Sequence, residues 1–123
     1  MRIFLTGQCT LHPGRMEFGN IGNYYIVEPL VRELHRVFPG AEIRTTLQMS
    51  DGFCRRERVT CVPMEHYYAW GPDERARAED EVALAERFAD GGSPTGSTGY
   101  VDEVLAADLV VDFSGDIWGE NAD

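Results

Sequence analysis

The sequence contains no lysine; all 11 basic residues are arginine. Cysteine is scarce too. Cys9, Cys54 and Cys61 are an odd number and lack Cys-x-x-Cys spacing. That argues against a disulfide framework and against a cysteine-rich zinc site, and reduced thiols in the cytoplasm follow most simply. No apolar run approaches the roughly 20 residues of a membrane helix, so no membrane-spanning segment is expected. Only three clearly apolar residues separate Arg2 from Thr6, too few for a secretory leader. The G-x-G-x-x-G spacing of a dinucleotide site is also missing. No cofactor and no metal are expected.

What is abundant is acid. There are 21 Asp and Glu, for a formal net charge of −10. The acid is uneven: residues 1–58 hold 8 Arg against 6 acids, whereas residues 59–123 hold 3 Arg against 15. Such a chain repels nucleic acid and anionic membrane, because phosphate binding needs clustered cations. A solvated acidic surface that aids solubility is the ordinary reading. At 123 residues and 43% hydrophobic content, the chain is expected to form a single domain, residues 1–123, with room for a core.

Strand and helix signals alternate. Residues 2–6 form an apolar strand. Residues 7–23 hold four glycines, a proline and three side-chain amides, a loop long enough to suggest function. From Tyr24 the apolar positions Tyr25, Ile26, Leu30, Val31, Leu34, Val37 and Phe38 recur at helical spacing, with Asn23 as N-cap, and Pro29 predicts a kink or a helix whose regular part starts near it. Pro39-Gly40 ends this helix. Residues 41–47 read as a strand with Ile43, Thr45 and Leu47 on one face. Residues 48–58 read as a polar connection, and 59–62 as a third strand. Residues 63–72 form an aromatic loop. An acidic helix opens near Pro72-Asp73 and runs to about Ala89, with Val82, Leu84, Ala85 and Phe88 as its apolar positions. A breaker-rich loop at 90–99, a short helix at 101–107 and a strand at 108–113 complete the pattern. This alternation predicts an α/β fold, a Rossmann-like and mostly parallel sheet with flanking helices.

Two glycine turns follow the strongest strands. Gly19-Asn20-Ile21-Gly22-Asn23 lies between the first strand and first helix, and Ser114-Gly115-Asp116 follows the last strand. In parallel sheets, ligands bind beyond the carboxyl ends of the strands. Asn20 and Asn23 can each donate to and accept from a sugar hydroxyl or a phosphate oxygen. Gly19, Gly22 and Gly115 allow close approach to backbone, and Ser114 and Asp116 add polar contacts. The ordinary alternative at both places is a tight turn, with Asp116 as a cap. His12, in the glycine loop, is a further candidate because imidazole titrates near neutral pH. His66 shares that property from the aromatic loop, and His35 sits within a helical face. Glu79, Asp80, Glu81 and Glu86 read as one solvated helix face. Tyr67, Tyr68 and Trp70 serve core packing or stack on a sugar.

Gly19-Asn20-Ile21-Gly22-Asn23 resembles the G-N-x-G-[DN] motif of polysaccharide pyruvyl transferases. The run from Ala106 to Asp116 resembles the family's later A-D-hydrophobic segment, which ends in Gly-Gly-Asp or similar. Asn23 stands where Asp is commoner, and Phe113-Ser114 where Gly-Gly is more usual. The resemblance spans this chain but only the N-terminal third or so of a typical member. It implies the N-terminal portion of a GT-B-type two-domain fold, with a C-terminal domain still to come. It also implies phosphoenolpyruvate as donor and a glycan as acceptor. On that reading the catalytic groups lie largely outside this chain, and the 123 residues alone are inactive. Two alternatives stand beside it. One is a non-catalytic α/β module binding a ligand or partner; the other is part of a different GT-B-type glycosyltransferase.

Overall fold

The computed structural model describes residues 1–7, 21–47, 49–62, 72–92 and 99–113. In chain order the elements are β1 (Arg2–Thr6), α1 (Ile21–Val37), β2 (Glu42–Thr45), α2 (Asp51–Glu57), β3 (Val59–Cys61), α3 (Pro72–Ala89), α4 (Tyr100–Ala106) and β4 (Leu109–Asp112). They fall into two compact units. One joins Met1–Val62 to Ala107–Asp123, and the other is Pro63–Ala106.

The first unit is built on a four-stranded, all-parallel sheet of order β3-β2-β1-β4. The expected α/β class is therefore observed; β1 spans the expected residues, whereas β2, β3 and β4 are shorter than expected by three, one and two residues. Side chains alternate across the sheet, so odd positions share one face. On that face Ile3, Leu5, Ile43 and Val59 are buried together with Val27, Val31 and Leu34 of α1 and Phe53 of α2. Leu109 and Val111 of β4 pack against the same cluster. Each fully buried side chain of this size contributes about 1.5–3 kcal/mol relative to exposure. Phe4, on the opposite face of β1, is also fully buried.

Three expectations need correction. Helix α1 starts at Ile21 rather than Tyr24, so Gly22 and Asn23 lie in its first turn and Asn23 is not the N-cap. The helix continues through Pro29, so its regular part does not start there. Proline removes a bond to the carbonyl four residues back. Here both Tyr25 and Pro29 are exposed, so water can take that carbonyl. Residues 48–58 are not merely a connection but contain α2. Its N-cap is Ser50, whose side chain accepts a hydrogen bond from the Phe53 N–H at 3.2 Å. Arg58 ends it in the left-handed region, φ 54°, donating its N–H to the Cys54 carbonyl.

In the second unit, α3 closes with a Schellman motif. Gly92 N–H bonds the Arg87 carbonyl at 2.8 Å, and Gly91 N–H bonds the Phe88 carbonyl at 2.9 Å. Gly91 has φ +85°, which a residue with a Cβ adopts at a cost. The expected apolar face of α3 is only partly realised. Leu84 is buried, whereas Val82 and Phe88 are 60% and 42% exposed. Glu81, expected on a solvated face, is buried. It lies three residues before Leu84, on the same stripe. Its carboxylate accepts from the Val101 N–H of α4 at 3.4 Å. A carboxylate there satisfies a donor that the first turn of a helix leaves unpaired.

Candidate functional site

Strand order decides where a ligand crevice opens. The chain runs from β1 through β2 to β3 on one side, then returns to lay β4 on the other side of β1. The topological switch point therefore falls between β1 and β4, where connections diverge beyond the carboxyl ends. The last register pair there is Thr6 with Asp112, and Phe113 N–H extends the ladder to the Thr6 carbonyl at 3.0 Å. The two motif-bearing segments thus leave the sheet from neighbouring strand ends. The first follows Gly7, and the second follows Phe113 directly.

Gly7 and Phe113 meet closely at this edge. A Cβ at position 7 would overlap Cδ1 and Cε1 of Phe113 and stand 3.2 Å from Cζ. Glycine leaves a notch and the phenyl ring fills it. Phe113 is partly buried and packs against the core beneath the sheet. Beside it, on the β2 side, three threonines are buried. Thr6 and Thr46 approach through their hydroxyls at 3.4 Å, and Thr45 Oγ1 accepts from the Leu47 N–H at 3.0 Å. Asp112 is exposed at the end of β4. The first turn of α1 carries no acidic residue, so nothing anionic of its own competes for the N–H groups there.

Of the expected site residues, Gly22 and Asn23 lie in the first turn of α1. Gly19, Asn20, His12, Ser114, Gly115 and Asp116 fall outside the described residues, as do His66, Tyr67, Tyr68 and Trp70. Sequence reasoning passed over Gly7, Phe113 and Asp112. A glycine immediately after a strand and an aromatic at the end of the neighbouring one were the available signals. Neither one singles out the other until the strands are paired.

A second polar cluster joins α1 to α2 and has a structural role. Arg32 Nε and Nη2 donate to the two carboxylate oxygens of Glu57, each at 3.0 Å. Arg56 Nε donates to Glu57 Oε1 at 2.7 Å. Glu28 accepts from Arg32 at 2.8 Å and from the Tyr24 hydroxyl at 3.0 Å. His35 Nε2 lies 2.9 Å from the Glu57 carbonyl. Hydrogen bonding from Arg32 holds the Glu57 carboxyl below its ordinary value, against the opposing push of burial, with Arg56 adding to the depression. Hydrogen bonding to Glu28 raises the Tyr24 phenol. The Arg56 guanidinium also lies 5.5 Å from the centre of the Phe53 ring. These charged groups answer one another.

Among the described residues, no group of three or more His, Cys, Asp or Glu is placed to hold a metal ion. Cys54 and Cys61 are not joined in disulfides, and Cys61 Sγ lies 3.1 Å from the Leu47 carbonyl. No described helix is long and apolar enough to cross a membrane. No family model, no curated protein and no solved structure matches this chain.

Proposed function

We propose that the chain is the acceptor-side wall of an enzyme like the polysaccharide pyruvyl transferases, moving pyruvyl from phosphoenolpyruvate to a glycan hydroxyl. One observation supports it above all: the segments carrying Gly19–Asn23 and Ser114–Asp116 leave adjacent, parallel strand ends at the β1/β4 switch point. The amides of Asn20 and Asn23 and the oxygens of Ser114 and Asp116 suit vicinal sugar hydroxyls, which both donate and accept.

The chemistry explains why one wall is insufficient. A proton must reach the methylene carbon of phosphoenolpyruvate, and sugar hydroxyl oxygens must bond to the neighbouring carbon. Phosphate leaves and a ketal remains. The donor is highly anionic and needs cationic groups around it. The residues from 59 onward carry 15 acids against 3 arginines, a poor donor site. A second α/β wall, GT-B fashion, would supply the donor side.

The test has two arms. Titration with neutral sugar acceptors is expected to shift amides in the first turn of α1 and at Thr6, Gly7, Asp112 and Phe113. Phosphate release from phosphoenolpyruvate by this chain alone is expected to stay at background, because orientation across two walls supplies much of the rate. Indifference to every acceptor would sink the acceptor-wall reading in favour of a different binding module. Robust phosphate release by the chain alone would overturn the two-wall division.

A further inference from the structure

Helix α2 depends on its neighbours more than the other elements of the first unit do. Its seven residues are too few to hold a helix in water alone. It leads at once into β3, three residues at the end of the strand order. Two things tie α2 to α1: Phe53, sunk into the buried cluster, and the carboxylate of Glu57. That carboxylate is a hub, reached by Arg32 from α1 and by Arg56 from α2 itself. Glu28 of α1 pairs with the same two arginines, at 2.8 and 3.7 Å. Tyr24 donates to Glu28 and accepts from Arg56 at 3.2 Å, and His35 Nε2 lies 2.9 Å from the Glu57 carbonyl.

The charge balance of this junction rests on two carboxyl protons. With Glu28 and Glu57 ionised, two carboxylates face two guanidinium groups. With both protonated, the guanidinium groups remain charged, and His35 as an imidazolium adds a further cation. Strand β1 has no such dependence: Ile3, Phe4 and Leu5 at its centre are buried and apolar, and it pairs on both sides. We infer that Glu57 is an acid-sensitive latch, whose protonation frees α2 from α1 while the sheet around β1 stays folded. The freed segment uncovers Phe53 and Cys54. The sign follows from linkage. Hydrogen bonding from Arg32, with Arg56 adding to it, holds the folded carboxyl below its ordinary value. The latch is therefore complete above that ordinary value and fails as pH falls through the folded one.

The experiment follows native-state amide exchange of the 123-residue chain between pH 7 and pH 3, each rate corrected for intrinsic exchange. The reporters in α2 are the N–H groups of Cys54 and Arg58, which bond the Ser50 and Cys54 carbonyls. The reference is the set of β1 amides. On acidification, opening at the α2 reporters is expected to rise about tenfold more than at β1. In Glu57→Gln the α2 reporters are expected to exchange about tenfold faster than in wild type at pH 7 and to lose most of the acid response. An equal acid response of α2 and β1 in the wild type overturns the latch, because the chain then opens as a whole. So does a Glu57→Gln chain whose α2 is protected as in the wild type at pH 7, or whose acid response is unchanged. Should Glu57→Gln fail to fold, the wild-type comparison of α2 with β1 decides alone.

Discussion

Two buried glutamates, one in each compact unit, solve the same problem differently. Glu57 and Glu81 are 6% and 7% exposed. Glu57 closes α2 in the first unit and is gripped by the guanidinium groups of Arg32 and Arg56. Glu81 lies in the middle of α3 in the second unit and turns to a backbone N–H at the start of α4. One carboxylate is held by two guanidinium groups, while the other accepts from a backbone N–H. Burial alone therefore does not tell what a carboxylate does, and the two units differ in what holds their helices together. Around Glu57, ion pairs sit on a deep apolar cluster. Among the described residues of the second unit, the buried apolar side chains are Leu84 and Val101.

The contrast can be broken most severely from beneath Glu57. Phe53 is 1% exposed, its ring centre is 6.0 Å from that of Tyr24, and it supports Arg56. Phe53→Ala is expected to cost about 3–5 kcal/mol in denaturant unfolding of the first unit. A loss below about 1 kcal/mol would mean that α2 is held by its charges and not by its core.

Removing the charge alone sharpens the comparison. Glu57→Gln places an amide N–H₂ against guanidinium donors, and a loss of about 1–2 kcal/mol at neutral pH is expected. The pH dependence has a definite sign. The folded pKa of Glu57 lies below the ordinary 4.5, so its contribution is complete above that value and fades as pH falls through the folded pKa. The gap between wild type and variant should close in acid, and a gap independent of pH would refute the ion-pair account. Glu81→Gln keeps an acceptor oxygen and should cost little. Glu81→Ala removes the cap of α4 and should cost about 1 kcal/mol, read as faster amide exchange at Val101. Equal losses for Glu81→Gln and Glu81→Ala would show that charge matters there too.

The smallest expected effect is a gain. Arg58 holds φ 54° without being glycine. Arg58→Gly relieves that strain at some entropic cost to folding, and a net stabilisation of about 0.5–1 kcal/mol is expected in the same unfolding assay.

Strands β1 and β4 were legible as unbroken apolar runs, Ile3-Phe4-Leu5 and Leu109-Val110-Val111, and β2 by alternation, with Ile43 and Thr45 on one face. Helix α1 was legible as a helix, but its buried face was only partly so: Val31 and Leu34 are buried as expected, whereas Tyr25, Ile26 and Val37, expected on the same face, are 66%, 54% and 49% exposed, and Val27, not expected there, is buried. Its start was not legible, since glycine and asparagine suit a turn and a first helical turn alike. Helix α2 has seven residues and opens Asp51-Gly52, a pair that reads as a turn. Only the Ser50 cap and the burial of Phe53 decide otherwise. Glu81 looked like its acidic neighbours because a sequence does not reveal which stripe of a polar helix meets another helix. At the candidate site, the motifs pointed to a sheet edge, and the strand order shows that the segments bearing them leave it side by side. The notch at Gly7 depends on pairing residues more than a hundred positions apart, which no local pattern encodes.

That long-range pairing has a consequence for how the molecule assembles. Arg2 N–H reaches the Asp108 carboxylate at 2.7 Å, a link 106 residues long, whereas β1 joins β2 across about 40. Closing the longer loop costs roughly 1 kcal/mol more in chain entropy than closing the shorter. The β3-β2-β1 subsheet should therefore form early and β4 should be stitched on last. In pulse-labelled hydrogen exchange, Val110 and Val111 amides should gain protection after those of Ile43 and Arg44. The β1/β4 edge would then be the final seam of the fold to close. On the proposed function, a newly made chain would acquire the β3-β2-β1 subsheet before it acquires the acceptor edge.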